Sequence, residues 1–358
     1  MAYVYKEHYD ATYLMNSKDK NGLDPCFFIA CSIDRGPGKS FSVGKKLFNN
    51  FLDKDEKFIL LTRNMGDLGN VAEGVLRSYL SYAMPEVLIS EKIQMKGVFS
   101  KIYATIGSGE ETETHEIGYV IPIRSCDKIK LISSLFYDAT CFFFDEFQPM
   151  SFSAYLPNEV DLVRNIYKSI ARGNGSATRY MPIYMTSNTI QIHNPYFTAL
   201  GLTKKIQSNT RFYRGDGVVF ENVVVEGLAE QHASSPIDRA LAGHIQEQRK
   251  SNSNLWLNDE NSLVSKPDEE WGHGYYVCTL IYNKDKIGVY RYDNVDMFYC
   301  SRKVDNNCKY IYNTTLNSNL NIPMLKNSRF LQKLKDSYFN AQIRCQDGSI
   351  QNILRDIF

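Results

Sequence analysis

Nine residues, Ser32 to Ser40, constrain the fold of this chain more than any other segment. They read S-I-D-R-G-P-G-K-S and lie between a short apolar run, Cys26 to Ala30, and a helix-like segment, Phe41 to Leu52. A strand, a Gly-rich turn ending in Gly-Lys-Ser and a helix form a cradle for phosphate, because backbone N–H groups and the helix N-terminus point at the anion. The segment therefore predicts a phosphate-binding loop.

Each polar residue of the loop has a predicted role. Lys39 would contact the β- and γ-phosphates of ATP and act in catalysis, and Ser40 would ligate Mg²⁺. The usual pattern has Gly five residues before Gly38, where this chain has Ile33, so an incidental Gly/Pro turn is the alternative. The rest of the candidate nucleotide-binding loop is Arg35, Gly36 and Gly38.

A second motif follows about a hundred residues later. Four apolar residues, Cys141 to Phe144, precede Asp145 and Glu146. A buried strand of this kind carries the acids to the carboxyl edge of a sheet, where ligands bind in open α/β folds. Asp145 would hold the Mg²⁺ shell and Glu146 would polarise the attacking water. A strand ending in two solvated acids is the alternative, but the order and spacing of the two motifs favour a P-loop ATPase.

Three further positions are candidates for this site. Asn188 follows the strand-like run Met181 to Met185 in Thr186-Ser187-Asn188 and can contact the γ-phosphate or the attacking water, although a strand-ending turn is equally compatible. Arg172 precedes G-N-G-S and is a candidate arginine finger, but a solvated arginine at a helix C-terminus is favoured locally. For Arg35 and Arg63, phosphate contact, contact with a neighbour and a structural salt bridge stay open.

Composition bounds the class of protein. The length of 358 residues predicts two domains, and the content of 43% hydrophobic residues predicts a globular protein with buried hydrophobic cores. A net charge of +1 excludes a globally basic nucleic-acid binder, so any such contact would come from local patches. The 8 cysteines have no framework or zinc spacing, which is typical of reduced thiols. A polar N-terminus and short apolar runs lead us to expect a soluble, cytoplasmic protein without membrane contact.

The pattern along the chain predicts an α/β fold in two parts. From Cys26 to about Leu200, strands alternate with helices, which favours a mostly parallel sheet covered on both faces. Polar segments follow, and four strand-like runs from Tyr275 to Tyr312 with two closing helices predict a second α/β domain. Its first run, Tyr275 to Tyr282, carries no acid, so no metal-dependent nuclease site is expected there.

With these residues in place, the chain resembles the DNA-packaging ATPases (encapsidation proteins) of small podoviruses. The resemblance rests on the two motifs, on Tyr155-Leu156-Pro157-Asn158-Glu159-Val160, and on Asn194-Pro195-Tyr196-Phe197 after Ser187-Asn188. It also includes V-x-x-x-x-Y-N-x-x-x-x-G-V from Val277 to Val289. The Asn-Pro-Tyr-Phe block and this C-terminal pattern separate the family from generic P-loop ATPases.

The resemblance implies a domain plan and an activity. Residues 1–202 would form an additional-strand P-loop ATPase domain, 203–255 a small linker, and 256–358 an RNase H-like domain without nuclease activity. The chain would be an ATP- and Mg²⁺-dependent translocase that packages double-stranded DNA into a preformed capsid. It would form a pentameric ring on the portal of the procapsid, in some members with a packaging RNA, in the host cytoplasm.

The resemblance also assigns residues between subunits. The family's trans-acting arginine falls on Arg172, which reverses the local preference, and a trans-acting lysine falls near Lys128 or Lys130. Pore contacts would be directed at the DNA backbone, because packaging cannot depend on sequence. Weak candidates for these contacts are Lys204, Lys205, Arg211 and Arg214. The alternatives are a non-motor P-loop enzyme, such as a nucleotide kinase or helicase loader, and a non-catalytic nucleic-acid-binding protein.

Overall fold

The computed structural model describes residues 5–32, 36–107, 112–149, 155–172, 178–189, 194–203, 205–206, 210–236, 240, 263, 266–267, 269–283, 285–314, 329–339 and 342–358. The chain divides into two compact units, Met1–Asp259 and Glu260–Phe358. Among the residues described, no helix is both long and apolar enough to cross a membrane.

The first unit is built on one large sheet. Its strands are β1 (Phe27–Ser32), β2 (Lys57–Thr62), β3 (Leu88–Gln94), β4 (Phe99–Ile106), β5 (Glu113–Pro122), β6 (Ala139–Phe144), β7 (Ile183–Asn188), β8 (Phe212–Arg214) and β9 (Val218–Asn222). In the described residues these form a nine-stranded sheet in the order β3-β4-β5-β2-β6-β7-β1-β9-β8. The six central strands, β5-β2-β6-β7-β1-β9, pair in parallel with their neighbours. At one flank β3 and β4 add antiparallel pairs next to β5, and at the other flank β8 pairs antiparallel with β9.

Helices cover both faces of this sheet. They are α1 (Thr12–Met15), α2 (Lys39–Lys54), α3 (Val71–Ala83), α4 (Cys126–Leu131), α5 (Glu159–Ile170), α6 (Pro195–Ala199) and α7 (Leu228–Ala233). One core packs α4, α5 and α6 against the sheet, and a second packs α2, α3 and the N-terminal segment. Because both faces are covered, the central strands are nearly continuous apolar runs. The predicted α/β fold with a mostly parallel sheet is confirmed.

The edges of the sheet contain strands that the pattern did not predict. β3 follows α3 and lies at one edge of the sheet. Its residues alternate between exposed and half-buried positions along most of its length, so its sequence contains no apolar run that would predict a strand. β8 and β9 lie in the range 203–255 that was assigned to a linker, yet all five residues of β9 are buried and pair with β1. This strand pair therefore belongs with the large sheet, and the boundaries of the three domains stay a prediction.

The second unit is a smaller α/β structure. Its strands are β10 (Tyr275–Tyr282), β11 (Asp285–Tyr292), β12 (Met297–Ser301), β13 (Ile311–Asn313) and β14 (Ile343–Cys345), and its helices are α8 (Arg329–Phe339) and α9 (Gly348–Ile357). Over the described residues the sheet order is β13-β10-β11-β12-β14. The four predicted strands and both closing helices are present, and β14 adds an edge strand. A single apolar core links the sheet to both helices.

Candidate nucleotide-binding site

The Gly-rich loop lies at the carboxyl edge of the sheet, between β1 and α2. Gly36 and Gly38 have φ angles of 75° and 96°, a region that residues with a Cβ rarely adopt. Gly38 is also the N-cap of α2, so the unpaired N–H groups of the first helical turn lie at the loop. Arg35, with Ile33 and Asp34, lies outside the described residues.

Lys39 is held at the junction of two strands. Ser32 ends β1 and Asn188 ends β7, and the two residues are register partners in the sheet. The Lys39 side chain is 6% exposed, and its Nζ donates to Ser32 Oγ and, at 3.3 Å, to Asn188 Oδ1. The structure therefore brings Lys39 and Asn188, predicted from separate motifs, to one point in the cleft.

Asp145 and Ser40 also converge. Ser40 Oγ donates to Asp145 Oδ1 at 2.9 Å, and the same oxygen accepts from Thr186 Oγ1 and from the backbone N–H of Glu146 at 3.0 Å. Mg²⁺ in nucleotide sites takes one or two protein oxygens, with phosphates and waters completing the shell. The described residues contain no cluster of three or more His, Cys, Asp or Glu that could hold a metal. The donor set thus fits a magnesium ion that arrives with a nucleotide.

Glu146 has an unusual backbone. Its φ is 50°, in the left-handed region, which costs an L-residue about 1–2 kcal/mol. Its carbonyl accepts from Arg63 NH1 at 3.1 Å, and the next carbonyl, of Phe147, accepts from Arg63 NH2. Glu146 lines the cleft together with Lys39 and Asn188. The arginine thus holds the strained turn that presents the acid.

Arg63 itself is anchored by a buried carboxylate. Its Nε and NH2 donate to the two oxygens of Glu159, both at 3.0 Å, and the Glu159 side chain is 0% exposed. Glu159 also accepts from Tyr196 Oη at 2.8 Å and from the Leu156 N–H at 2.9 Å. Of the interpretations left open for Arg63, the structure shows the salt bridge. The hydrogen bond from Tyr196 to Glu159 also joins the two sequence blocks that contain these residues.

Breaking this pair is expected to be costly. Replacement of Arg63 by Ala leaves the buried Glu159 carboxylate uncompensated, so the free energy of unfolding should fall by about 3–5 kcal/mol. Urea unfolding measures the change. The matched control is Arg77→Ala, whose pair with Glu73 is exposed and should be worth under about 1 kcal/mol. Equal, small effects of the two substitutions would contradict the anchoring role.

A double variant separates stability from positioning. Arg63→Met combined with Glu159→Leu removes both buried charges, so stability should partly return. The carbonyls of Glu146 and Phe147 would still lack their donor, so activity that depends on this turn should stay low. Recovery of both properties would show that Arg63 serves only the salt bridge.

Arg172 is not brought to this cleft. α5 begins at Glu159, beside the site, and Arg172 lies beyond its other end. The helix has 12 residues, which at about 1.5 Å per residue separates its ends by about 18 Å. Arg172 is exposed, and its backbone forms a bridge with Thr178. It therefore lies away from the Gly-rich loop of its own chain, and its role as an arginine finger stays a prediction.

The other predicted basic residues lie on the surface of the first unit. Lys128 and Lys130 are exposed on α4, and Lys130 pairs with Asp127 at 3.0 Å. Lys205 and Arg214 are exposed and Arg211 is half-buried, while Lys204 lies outside the described residues. Their assignment to a DNA pore stays a prediction.

The N-terminal segment, Tyr5 to Ala11, packs against the Gly-rich loop, a contact that the sequence did not predict. The Tyr9 N–H donates to the Pro37 carbonyl at 2.9 Å, and the Ala11 N–H donates to Ser42 Oγ at 2.8 Å. Tyr5 and Tyr9 donate their hydroxyls to Glu221 on β9, at 2.8 and 3.1 Å. This segment thereby ties the Gly-rich loop to β9. Tyrosines in a short N-terminal stretch carry no pattern that would reveal such a contact.

Glu221 makes this attachment pH-dependent. Burial raises the pKa of Glu221 to about 7, from 4.5. Because the neutral form is favoured in the folded chain, its stabilising contribution is complete below about pH 4.5 and is lost as the pH rises through 7. Between pH 5 and 8 the free energy of unfolding should therefore fall by about 2–3 kcal/mol more in the wild type than in Glu221→Gln. Glu226→Gln, at an exposed position nearby, is the control. Parallel pH profiles for wild type and Glu221→Gln would contradict this assignment.

Comparisons with known proteins identify the family of this chain. The family model of the podovirus DNA encapsidation protein (Gp16) matches residues 26–358. The chain belongs to this family. Family membership confirms the identification made from the sequence and the predicted role in DNA packaging.

Relatives of this encapsidation protein cover most of its length. The DNA packaging protein of Bacillus phage phi29 is 25% identical over 329 residues, which span 90% of this chain and 91% of the relative. That of Bacillus phage B103 is 23% identical over 334 residues, spanning 90% and 94%.

Solved structures share the fold. The bacteriophage phi29 viral genome packaging motor assembly contains a chain with a TM-score of 0.55 and 20% identity, covering 99% of both chains. The Phi-28 gp11 DNA packaging motor gives a TM-score of 0.52 and 16% identity, covering 97% of this chain and 96% of the other.

Proposed function

We propose that this encapsidation protein hydrolyses ATP with Mg²⁺ and couples the reaction to movement of double-stranded DNA into a capsid. The observation that carries the proposal is the convergence of Lys39, Ser40, Glu146 and Asn188 in the lining of one cleft, where Ser40 also donates to Asp145. These are the groups that phosphoryl transfer to water requires. The relatives from phages phi29 and B103 are DNA packaging proteins, which supports DNA packaging as the coupled process.

The residues of the Gly-rich loop and of the strand ends beside it each have a proposed part in this chemistry. The N–H groups at the start of α2 and the Lys39 ammonium would bind the β- and γ-phosphates. Ser40 and Asp145 would hold Mg²⁺, which neutralises developing phosphate charge when it is bound. Glu146 would orient a water and accept its proton, while Arg63 keeps the turn of Glu146 in place through the two carbonyls. Asn188 would contact the γ-phosphate beside Lys39.

The site is proposed to be completed by a second copy of the chain. Arg172 is exposed and lies beyond the far end of α5, a helix about 18 Å long that begins at Glu159, so we propose that a neighbouring subunit brings it to a phosphate. This favours a homo-oligomeric ring, which we propose is a pentamer docked on the portal of a procapsid in the host cytoplasm. A packaging RNA is a further proposed partner. No nuclease activity is proposed for the second unit.

The coupling can be tested with purified components. ATPase rates are measured for the full chain alone, with double-stranded DNA, and with portal-bearing capsids. A packaging motor should hydrolyse ATP faster when both DNA and capsids are present, and Lys39→Ala should remove the stimulation. Turnover that is indifferent to both partners would instead indicate a nucleotide kinase or a helicase loader. No turnover at all would indicate a non-catalytic nucleic-acid-binding protein.

A further inference from the structure

The cleft continues beyond the phosphate-binding residues. Its volume is about 1050 Å³, which exceeds what a triphosphate and a metal ion occupy, and the described lining includes a group of side chains with no part in the chemistry above. These are His8, Phe41, Ser78 and Tyr82. They come from three separate elements: the N-terminal segment, the first turn of α2, and the last turns of α3.

Tyr82 is the unusual member of this group. Its side chain is 84% exposed, although a large aromatic ring gains by burial. Its ring meets that of Phe41 at 6.2 Å in a T-shaped contact, and Phe41 in turn meets the buried Tyr79 at 5.6 Å. An edge contact of this kind supports the tyrosine from one side and leaves its ring open to a planar partner.

The loop sets the direction in which a bound nucleotide would extend. Its γ-phosphate belongs beside Glu146 and Asn188, so its nucleoside must leave the loop at the other side of the cleft. Phe41 directly follows Ser40, and a Cβ on Gly38 would lie 4.0 Å from His8 Cβ, so these two residues border the loop. The path from the phosphates therefore leads between His8 and the pair formed by Phe41 and Tyr82.

We infer that His8, Phe41 and Tyr82 form the base-binding subsite of this cleft, with the nucleotide base stacked on the ring of Tyr82. The inference rests on the proposed ATPase function and names the part of the nucleotide that these residues recognise. Stacking of a base on an aromatic ring is worth roughly 1–3 kcal/mol, so Tyr82 should raise nucleotide affinity about five- to 150-fold.

Two ligands separate the base from the phosphates. Binding of ATP and of inorganic tripolyphosphate, which has no base, is measured by calorimetry on the full chain with Mg²⁺. Tyr82→Ala should weaken ATP binding about five- to 150-fold and leave tripolyphosphate binding unchanged. Tyr82→Phe keeps the ring and should bind ATP as the wild type does. The matched control is Tyr137→Ala, because Tyr137 is 76% exposed and is not part of the described cleft lining.

The outcomes distinguish this inference from the function on which it rests. Wild-type ATP affinity in Tyr82→Ala would overturn the subsite and leave the ATPase proposal intact. Equal weakening of ATP and tripolyphosphate would also overturn it, because the substitution would then act on the phosphate loop. A wild-type chain that binds neither ligand would overturn the proposed function and the subsite together.

Discussion

Replacement of Glu146 by Gln should reduce ATP turnover by about two to four orders of magnitude while ATP still binds. The amide has the shape of the carboxylate but cannot accept a proton from the attacking water. Glutamine has the same Cβ as glutamate, so the left-handed backbone at this position is no more strained than before. Single-turnover hydrolysis and equilibrium ATP binding, measured on the same preparation, separate the two effects.

Two further substitutions serve as a control and a contrast for Glu146→Gln. Glu86→Gln, at an exposed position outside the described cleft lining, should leave turnover unchanged. Lys39→Ala should instead lose ATP affinity, because it removes the buried ammonium between β1 and β7. If Glu146→Gln turns over ATP within a few-fold of wild type, another group activates the water.

Replacement of Arg172 by Ala should lower the turnover of assembled rings by about 10³–10⁵-fold, the range found for arginine fingers. The reason is geometric: the residue lies at the far end of α5 from its own cleft and is exposed, so the proposed role is in a neighbour's site. Arg164→Ala removes an exposed arginine from the same helix and should have little effect.

Mixed rings test whether the arginine acts in trans. Subunits carrying Arg172→Ala retain Glu146, and subunits carrying Glu146→Gln retain Arg172. At some interfaces of a mixed ring, an intact Glu146 therefore meets an intact Arg172 from its neighbour. Mixing two nearly inactive variants should thus restore measurable turnover, and complete absence of rescue would show that Arg172 does not act across the interface.

Local sequence was sufficient for the parts of this fold that depend on neighbouring residues. The phosphate loop was predictable because β1, the glycines and α2 follow one another, and only glycine readily adopts the positive φ that this turn needs. The position of Asp145 was predictable for a similar reason, because a buried apolar strand must deliver the next residues to the sheet edge. The roles of these residues stay predictions until the variants are measured.

Other features depend on which distant residues the sheet brings together. Glu159 and Arg63 are 96 residues apart in the chain, and the sequence around neither residue predicts that the two charges form an ion pair. β9 falls in the range 203–255, which was assigned to a linker because the segment is polar and basic and because the family resemblance implies a linker there; its pairing with β1 depends on residues far away in the chain. The same holds for Tyr82, whose exposed ring stands beside the cleft only because α3 packs on α2.

The sequence by itself thus determined the Gly-rich loop between β1 and α2, the position of the acid pair and the α/β class, since each follows from backbone preferences and burial over a few consecutive residues. Only the tertiary structure decided that Lys39 meets Asn188, that Arg63 is locked to Glu159, and that Arg172 lies away from its own cleft. These depend on strand order and helix length, which set distances between residues far apart in the chain.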